Sequence, residues 1–452
     1  MWFLLANPVL AQIAEPAVLE RRFVTQIQEI RPLPGELDRV LVFNSNSPEV
    51  VQSEGILLST FPALGKQVPA AHLNKPLVGR FDFFSHHIVR SSGQQRTLYQ
   101  GALIYNPNNE PVTLEILQAV SHATNPDAPF VQLPSMVENP DGRVYSGPGS
   151  RVMNEVLRNV RESEFPTKIE IPPQQSQMLF NLPILPGSGR TTYMRLQANA
   201  PVYMANLAMY ARRNTSDGER TTPFRAPLLE EWQNLLVTGR LAEPRDRTPT
   251  DPSKLGIEGE EKIFGRVAGV SIGSEWYARI TDRPGEDKLT IPQPGKGISY
   301  PINTVTRITL GTNQVQSAPM AVRYPDTAIN GHGNYGVHYR AILPLVNNTA
   351  NPQTVTVSIQ TPFKQEYARD RLFFVEPPQG QVFFRGTVRV SYRDDNRQPQ
   401  VRYFHLVQRQ GQQGEPLVTL RMPPSDRRIV TVNFFYPPDA TPPQVLSVRT
   451  LE

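Results

Sequence analysis

Two stretches of this chain share a pattern of alternating apolar and polar residues around an Asn/Pro turn. The segments 102–118 (ALIYNPNNEPVTLEILQ) and 341–360 (AILPLVNNTANPQTVTVSIQ) each contain an apolar run, a turn and a second run. In the second run of each, apolar residues occupy every other position, which is the spacing of a half-buried strand. Asn and Pro favour turn dihedrals and interrupt the hydrogen bonding of a sheet. The pattern therefore predicts two related β units in tandem.

A weaker correspondence follows each of these segments. The string IEIPP at 169–173 resembles LRMPP at 420–424, and strand-like residues follow both. Short strings of this kind recur by chance in β proteins. The prediction of two related units therefore rests on the similarity of 102–118 to 341–360.

Helical spacing is confined to two short segments. Apolar residues recur at three- and four-residue steps in 150–162, where Ser150 is placed to cap the free amides, and again in 226–238, which Gly239 follows. The segment between the β units, 243–252 (EPRDRTPTDP), contains three prolines, alternating charges and no apolar residue. This composition is typical of a linker. We therefore predict an all-β protein of two tandem β-sandwich-like units with one or two short peripheral helices. The predicted ranges are 12–213 for the first unit, 214–257 for the helix and Pro-rich linker, and 258–452 for the second unit.

The first eleven residues form an apolar run of a different kind. MWFLLANPVLA ends in Val9-Leu10-Ala11 before Gln12, like the tail of a secretory signal, although a basic n-region is missing. We interpret 1–11 as a signal-peptide remnant and expect a secreted protein of the periplasm, the outer cell surface or the extracellular space. No later stretch approaches the ~18 apolar residues of a membrane-spanning helix, so no transmembrane segment is expected.

Composition narrows the picture further. Proline contributes 45 of the 452 residues, which disfavours long helices and suits short strands joined by loops. Cysteine is absent, which removes disulfides and thiolate chemistry. The net charge of +5 is small and forms no basic pole, so nucleic acid is not an expected partner. Arginine outnumbers lysine 38 to 8, and its planar fork suits carboxylates, phosphates or acidic sugars, although a bias of genome composition or thermostability explains the excess more simply.

Four segments together resemble a known family. NPNNEPVTLEILQA, GPGSRVMNEVLR, GHGNYGVHYRAILPLVNNT and VNFFYPPDATPPQVLSVRT are similar to a cyanobacterial family of secreted proteins known only as domain of unknown function 3370. The resemblance covers most of the chain from about Pro32 to the C-terminus. It implies an envelope or extracellular location in a cyanobacterium, and it implies no activity, cofactor or functional residue.

Five residues are the candidate ligand-binding positions. Trp276 and Tyr277 could form a stacking platform for sugars, whereas His332, Tyr335 and His338 surround a Gly-rich segment that could let a ligand approach the backbone. Core packing and an ordinary glycine loop explain the same residues. We therefore name them as candidates for a ligand site and nothing more specific.

No catalytic, metal or cofactor site is predicted. The adjacent His86 and His87 would point to opposite faces of a strand, and the third ligand that zinc would need has only distant candidates such as His122. Carboxylates are scattered through predicted turns, and no serine lies in a nucleophile elbow.

These observations favour a non-enzymatic structural or interaction protein of the cyanobacterial cell envelope or extracellular matrix. Its expected partners are an envelope protein or a polysaccharide, and self-association into a homo-oligomer through exposed strand edges is a further expectation. The alternative is a carbohydrate-binding module or polysaccharide-acting enzyme, which a cleft lined by Trp276, Tyr277 and two carboxylates would favour.

Overall fold

Strands dominate a computed structural model of the chain, which describes residues 20–90, 96–130, 132–214, 223–255, 259, 261–438 and 440–452. The predicted signal-peptide remnant at 1–11 lies outside these residues. The first half of the described chain contains strands β1 Arg22–Ile30, β2 Leu41–Ser45, β3 Gly55–Ser59, β4 Leu77–Ile88, β5 Leu98–Tyr105, β6 Val112–Thr124, β7 Met136–Glu138, β8 Lys168–Ile171, β9 Ser176–Ile184, β10 Gly189–Tyr210, β11 Arg212–Arg213 and β12 Phe224–Arg225, with helices α1 Pro148–Leu157 and α2 Leu229–Thr238.

The remaining strands follow the segment that was predicted to be a linker. They are β13 Ala268–Ile272, β14 Glu275–Arg279, β15 Leu289–Thr290, β16 Gly297–Ile302, β17 Ala318–Arg323, β18 Asn330–Gly331, β19 His338–Val346, β20 Gln353–Gln360, β21 Arg371–Glu376, β22 Val382–Arg393, β23 Pro399–Arg409, β24 Val418–Met422, β25 Arg427–Phe435 and β26 Gln444–Thr450. The predicted all-β class is thereby confirmed. Among the described residues, no helix is both long and apolar enough to cross a membrane.

The long strand β10 organises the first sheet. Its first half pairs with β4 and β6, whereas its second half pairs with β3 and β5. The register shifts between Ala198 and Val202, where the strand passes from one set of partners to the other. Because side chains from both sets of partners meet in one buried cluster that contains Phe83, Met194 and Met204, the eleven-stranded sheet folds over its own core.

Two separate sheets enclose the second core. One is six-stranded in the order β21-β1-β16-β26-β20-β24, and the other follows the path β14-β19-β25-β22-β23-β7 with β15 beside β19. Apolar residues of both sheets, such as Val357 and Leu446 from the first and Leu343 and Val432 from the second, belong to one buried cluster. Face-to-face packing of two sheets around a shared core is the sandwich arrangement.

Strand pairing crosses the predicted boundary between the units. The N-terminal strand β1 lies parallel to β16 and antiparallel to β21, both in the second range. Conversely, three strands of the second range join the eleven-stranded first sheet. Strand β13 pairs with β2, and β17 and β18 continue the sheet beyond β13. The ranges 12–213 and 258–452 stay a prediction for the domain organisation, but the sheets themselves draw strands from both ranges. The hydrophobic pattern of a strand does not specify which sheet it joins, so sequence reasoning assigned each strand to its nearest neighbours along the chain.

The turns of the two copies of the repeated segment fold alike, although β5 and β6 lie in one sheet and β19 and β20 in two different sheets. Asn106 is fully buried in the first turn, and its Nδ2 donates to the carbonyl oxygens of Glu110 at 2.8 Å and Ile171 at 2.9 Å. Asn347 makes the matching bonds in the second turn, to Asn351 at 2.9 Å and Met422 at 2.8 Å. These bonds tie each turn to the strand that precedes its Pro-Pro pair. The weaker correspondence between 169–173 and 420–424 therefore has a structural counterpart.

Both predicted helices are present with shifted ends. Helix α1 begins at Pro148 and ends at Leu157, before Asn159 adopts a left-handed φ of 58°. Ser150 lies inside the first turn rather than at the cap, and its Oγ accepts the backbone N–H groups of Ser146 and Gly147. Helix α2 starts at Leu229, three residues later than predicted, because Leu228 is extended and its backbone N–H donates to the carboxylate of Glu231 at 2.7 Å, which caps the helix at that point.

Candidate functional site

Two arginines lie in one row across three neighbouring strands. In the seven-stranded sheet, Arg340 of β19 pairs with Asn433 of β25, and Asn433 pairs on its other side with Arg389 of β22. Residues paired directly across strands project from the same face of a sheet. This face is the one opposite the core, because the neighbouring residues Tyr339 and Phe434 belong to the buried cluster. The outer face of the sandwich therefore carries Arg340 on one side of Asn433 and Arg389 on the other.

A cavity of about 370 Å³ lies over this row, and we call it the arginine pocket. Arg195 of β10 approaches from the first sheet, and its guanidinium lies 5.3 Å from the ring centroid of Phe435. The imidazole of His338 stacks on the same ring at 4.6 Å, with 10° between the planes. The pocket is lined by the residues Val156, Leu157, Asn159, Arg195, His338, Arg340, Arg389, Ser391, Thr431, Asn433 and Phe435.

The charges of the arginine pocket are unbalanced. No carboxylate is among the residues that line it, and none of its three arginines forms an ion pair within the described part of the chain. The buried Nε of Arg389 has no acceptor among those residues. Glu275 lies beside the pocket, with its Oε2 3.5 Å from Nδ1 of His338, and the interaction with that imidazole lowers the pKa of the Glu275 carboxyl. Three permanent positive charges therefore have two neighbouring carboxylates, Glu275 beside the pocket and the buried Asp82 near Arg195.

A second and larger cavity of about 720 Å³ contains two other predicted residues, His332 and Tyr335. The ring of His332 meets Phe264 edge-on at 5.0 Å, and burial lowers its pKa to about 4. The hydroxyl of Tyr335 donates to the carbonyl oxygen of Ala440 at 2.9 Å. Lys364 also lines this cleft, and burial lowers the pKa of its ammonium to about 8.

The two carboxylates of this cleft already interact with other side chains of the protein. Glu49 forms an ion pair with Arg266, whose guanidinium also lies 3.8 Å from Asp246. Asp246 in addition accepts a hydrogen bond of 2.5 Å from the hydroxyl of Ser47. The cleft is therefore a mostly neutral surface in which positive and negative groups pair with each other.

Trp276 and Tyr277 do not form a platform together. Trp276 is 5% exposed, stacks on Tyr339 and donates its Nε1–H to the carbonyl oxygen of Pro34 at 3.0 Å. Tyr277 points the other way and is 45% exposed, with the guanidinium of Arg340 5.6 Å from its ring centroid. Neighbouring residues of a strand face opposite sides of the sheet, which separates the two rings.

The structure thus divides the five predicted ligand residues among four surroundings. His338 lies in the arginine pocket, His332 and Tyr335 in the larger cleft, Trp276 in the core and Tyr277 in a shallow hollow with Glu36, Asp38 and Glu275. Sequence reasoning missed the arginines. One signal was present, because His338 and Arg340 are two residues apart in a strand and therefore share a face. The contributions of Arg195 and Arg389 depend on tertiary contacts.

The comparison with protein families identifies the chain. A family model described as "Protein of unknown function (DUF3370)" matches residues 28–450. The chain belongs to this family. Membership in the DUF3370 family confirms the resemblance of the four segments, and the match covers nearly the range expected for it, from about Pro32 to the C-terminus.

Other comparisons add no functional information about this DUF3370 protein. No curated protein matches the chain. Among solved structures, the crystal structure of the coconut allergen cocosin aligns with 89% of this chain and 85% of its own, at 11% sequence identity and a TM-score of 0.09. A likeness that weak carries no argument about fold or function.

Proposed function

We propose that this DUF3370 protein is a secreted, non-enzymatic interaction protein of the cyanobacterial cell envelope or extracellular matrix, and that it binds acidic polysaccharide in the arginine pocket. The observation that carries the proposal is the set of Arg195, Arg340 and Arg389 around one cavity without a lining carboxylate. Guanidinium groups bind carboxylate and sulfate oxygens through two parallel hydrogen bonds.

The electrostatic repulsion between these three arginines also supports an anionic ligand. Arg340 and Arg389 are separated by one strand, which places their backbones roughly 10 Å apart. Like charges repel, and the repulsion grows in a cavity where water is partly excluded. A carboxylate or sulfate ester between the guanidinium groups would offset that repulsion.

The same chemistry favours binding over hydrolysis. Most glycosidases need two carboxyl groups on either side of the scissile bond. The lining of the arginine pocket contains none, and the two acidic groups of the larger cleft contact Arg266. A non-enzymatic role is consequently the proposal that these side chains support best.

The test is isothermal titration calorimetry of residues 20–452 with a polyuronate, with a sulfated dextran and with neutral dextran. We expect both acidic polymers to bind, with an affinity that falls as salt is added, and neutral dextran not to bind. Arg389→Gln and Arg340→Gln should each weaken binding about tenfold or more, because a charge-assisted hydrogen bond contributes about 1.5–3 kcal/mol. The ratio between the two acidic polymers identifies which anion the pocket prefers.

Arg247→Gln is the matched control. It removes the same charge from an exposed arginine that pairs with Glu261 at 2.7 Å, outside the arginine pocket. If all three variants weaken binding equally, attraction is only a matter of net charge and the proposal fails. Equal binding of neutral dextran would also contradict it. Light scattering without glycan tests the structural alternative, since regular oligomers would then point to assembly through strand edges.

A further inference from the structure

Three side chains from three segments converge beside helix α1. Nε2 of His122, near the end of β6, lies 2.8 Å from Oε2 of Glu155 in α1 and 3.0 Å from Oε1 of Glu162, in the turn after α1. All three side chains are largely buried, each 16–17% exposed. They are the one group of His, Asp and Glu residues in the described part of the chain whose ligand atoms all lie within 4.8 Å of one another.

The other oxygen of each carboxylate is held by the protein. Oε1 of Glu155 accepts a hydrogen bond of 3.1 Å from Nε of Arg151, one turn earlier in α1. Oε2 of Glu162 accepts one of 3.0 Å from the backbone N–H of Ser121 in β6. The free oxygens are thereby aimed at the same imidazole nitrogen. Outer hydrogen bonds that orient ligand side chains are a regular feature of protein metal sites.

The one proton on Nε2 of His122 cannot form a good hydrogen bond to both carboxylates at once. Nε2–H of His122 can point at one carboxylate oxygen at full strength, but two oxygens lie within hydrogen-bond distance. A divalent cation at the centre of the three atoms would bond all of them at once and offset the burial of both carboxylates.

We propose that His122, Glu155 and Glu162 bind a divalent transition-metal ion of the zinc type. One imidazole nitrogen with two carboxylate oxygens is a ligand set that zinc accepts, whereas calcium and magnesium prefer oxygen alone. Zinc–ligand bonds of about 2.0–2.1 Å place tetrahedral ligands roughly 3.3 Å apart. The two distances from Nε2 of His122, now 2.8 and 3.0 Å, would lengthen by only a few tenths of an ångström to accept the ion.

The ion would fasten α1 to the sheet beneath it. Glu155 and Glu162 lie on either side of the end of the helix, and His122 belongs to β6. Leu157 and Asn159, which lie between the two glutamates, form one wall of the arginine pocket. The metal would therefore hold that wall in place. This inference stands without the proposed polysaccharide binding, because it uses none of the three arginines that line the arginine pocket.

The test is a titration of chelator-treated protein with zinc chloride, using a chromophoric chelator as competitor. We expect about one zinc ion per chain, bound with micromolar affinity or better, and a higher melting temperature when zinc is present. His122→Gln, Glu155→Gln and Glu162→Gln should each weaken binding at least tenfold and remove the rise in melting temperature. Glu275→Gln is the matched control, because it alters a histidine–carboxylate pair whose histidine, His338, contacts one carboxylate at 3.5 Å.

X-ray absorption of the zinc-loaded wild-type protein provides a measurement that needs no variant. One imidazole and two or three oxygens at about 2.0–2.1 Å are expected. A shell without imidazole would overturn the proposal, as would a failure of the wild-type protein to bind zinc. Binding that is unchanged in all three variants would also overturn it, because the ion would then lie elsewhere.

Discussion

At the scale of single residues, buried asparagines and arginines distinguish this protein from a generic β-sandwich. Asn106 and Asn347 each use both ends of one amide, because Oδ1 accepts the N–H two residues later while Nδ2 bonds carbonyl oxygens across the turn. A buried amide is stable only when its hydrogen bonds are satisfied. The same residue in the same role at both turns indicates that the turn chemistry, rather than a ligand, explains the repeated Asn/Pro pattern.

Asn347→Ala should destabilise the protein by about 2–3 kcal/mol, because the buried carbonyl of Met422 would lose its donor. Urea denaturation followed by tryptophan fluorescence measures this change. Asn348→Ala is the control, since Asn348 is exposed and its side chain makes one bond of 3.2 Å to Thr290. Equal effects of the two substitutions would contradict the role assigned to Asn347.

At the scale of elements, the exchange of strands explains how the two halves are joined. Strand β1 lies between β16 and β21 and buries Gln28 and Ile30, at 1% and 5% exposure. Without it, both neighbours would expose unpaired backbone groups along one edge. An unpaired edge is a template for association with another chain. The strand at the N-terminal end of the described chain is therefore part of the second sandwich rather than an appendage of the first.

A chain that begins at Arg31 should be less stable than one that begins at Glu20, by at least about 3 kcal/mol, because burial of Ile30 and several backbone hydrogen bonds are lost. Size-exclusion chromatography should also show oligomers, since the edges of β16 and β21 are open. The measurement is thermal unfolding of both proteins at equal concentration. A monomer with unchanged melting temperature would show that β1 contributes nothing to the second sandwich.

At the scale of the whole molecule, buried histidines make the stability depend on pH. Burial lowers the pKa of His72, His332 and His405 to about 4 and that of His87 to about 3. Histidines of the unfolded chain take up a proton near pH 6.5, so between about pH 6.5 and pH 4 the unfolded state binds more protons than the folded state. The free energy of unfolding is therefore complete above about pH 6.5 and falls as the pH drops through that interval.

His405→Gln should reduce this slope. His405 is buried between Ser146, whose Oγ lies 2.8 Å from its Nε2, and Thr387. A histidine that stays unprotonated contributes at most about 1.4 kcal/mol per pH unit, and the variant should lose that share while unfolding more easily at neutral pH. Urea denaturation at half-unit steps from pH 7 to pH 4 measures the slope. A slope equal to that of the wild-type protein would show that His405 is protonated in the folded state.

Much of the local structure followed from residue patterns alone. Alternation in 112–117 and 354–360 is a local property of the chain, so the strands of both copies and the all-β class were predictable. The partners of these strands were not, because β5 does not pair with β6 and β19 lies in a different sheet from β20. The spacing of apolar residues likewise predicted both helices, with errors at their ends. The candidate site was predicted only in part, because His338 lies in the arginine pocket whereas Trp276 is packed in the hydrophobic core.

The sequence by itself therefore determined which segments form strands, turns and helices, because those preferences depend on neighbours a few residues apart. Only the tertiary structure decided which sheet each strand joins and which side chains share a cavity. Arg195 and Arg389 are 194 positions apart in the chain, and His122 and Glu162 are 40 apart, yet each pair meets at one site. Such meetings depend on strand pairing and register, which no local pattern encodes.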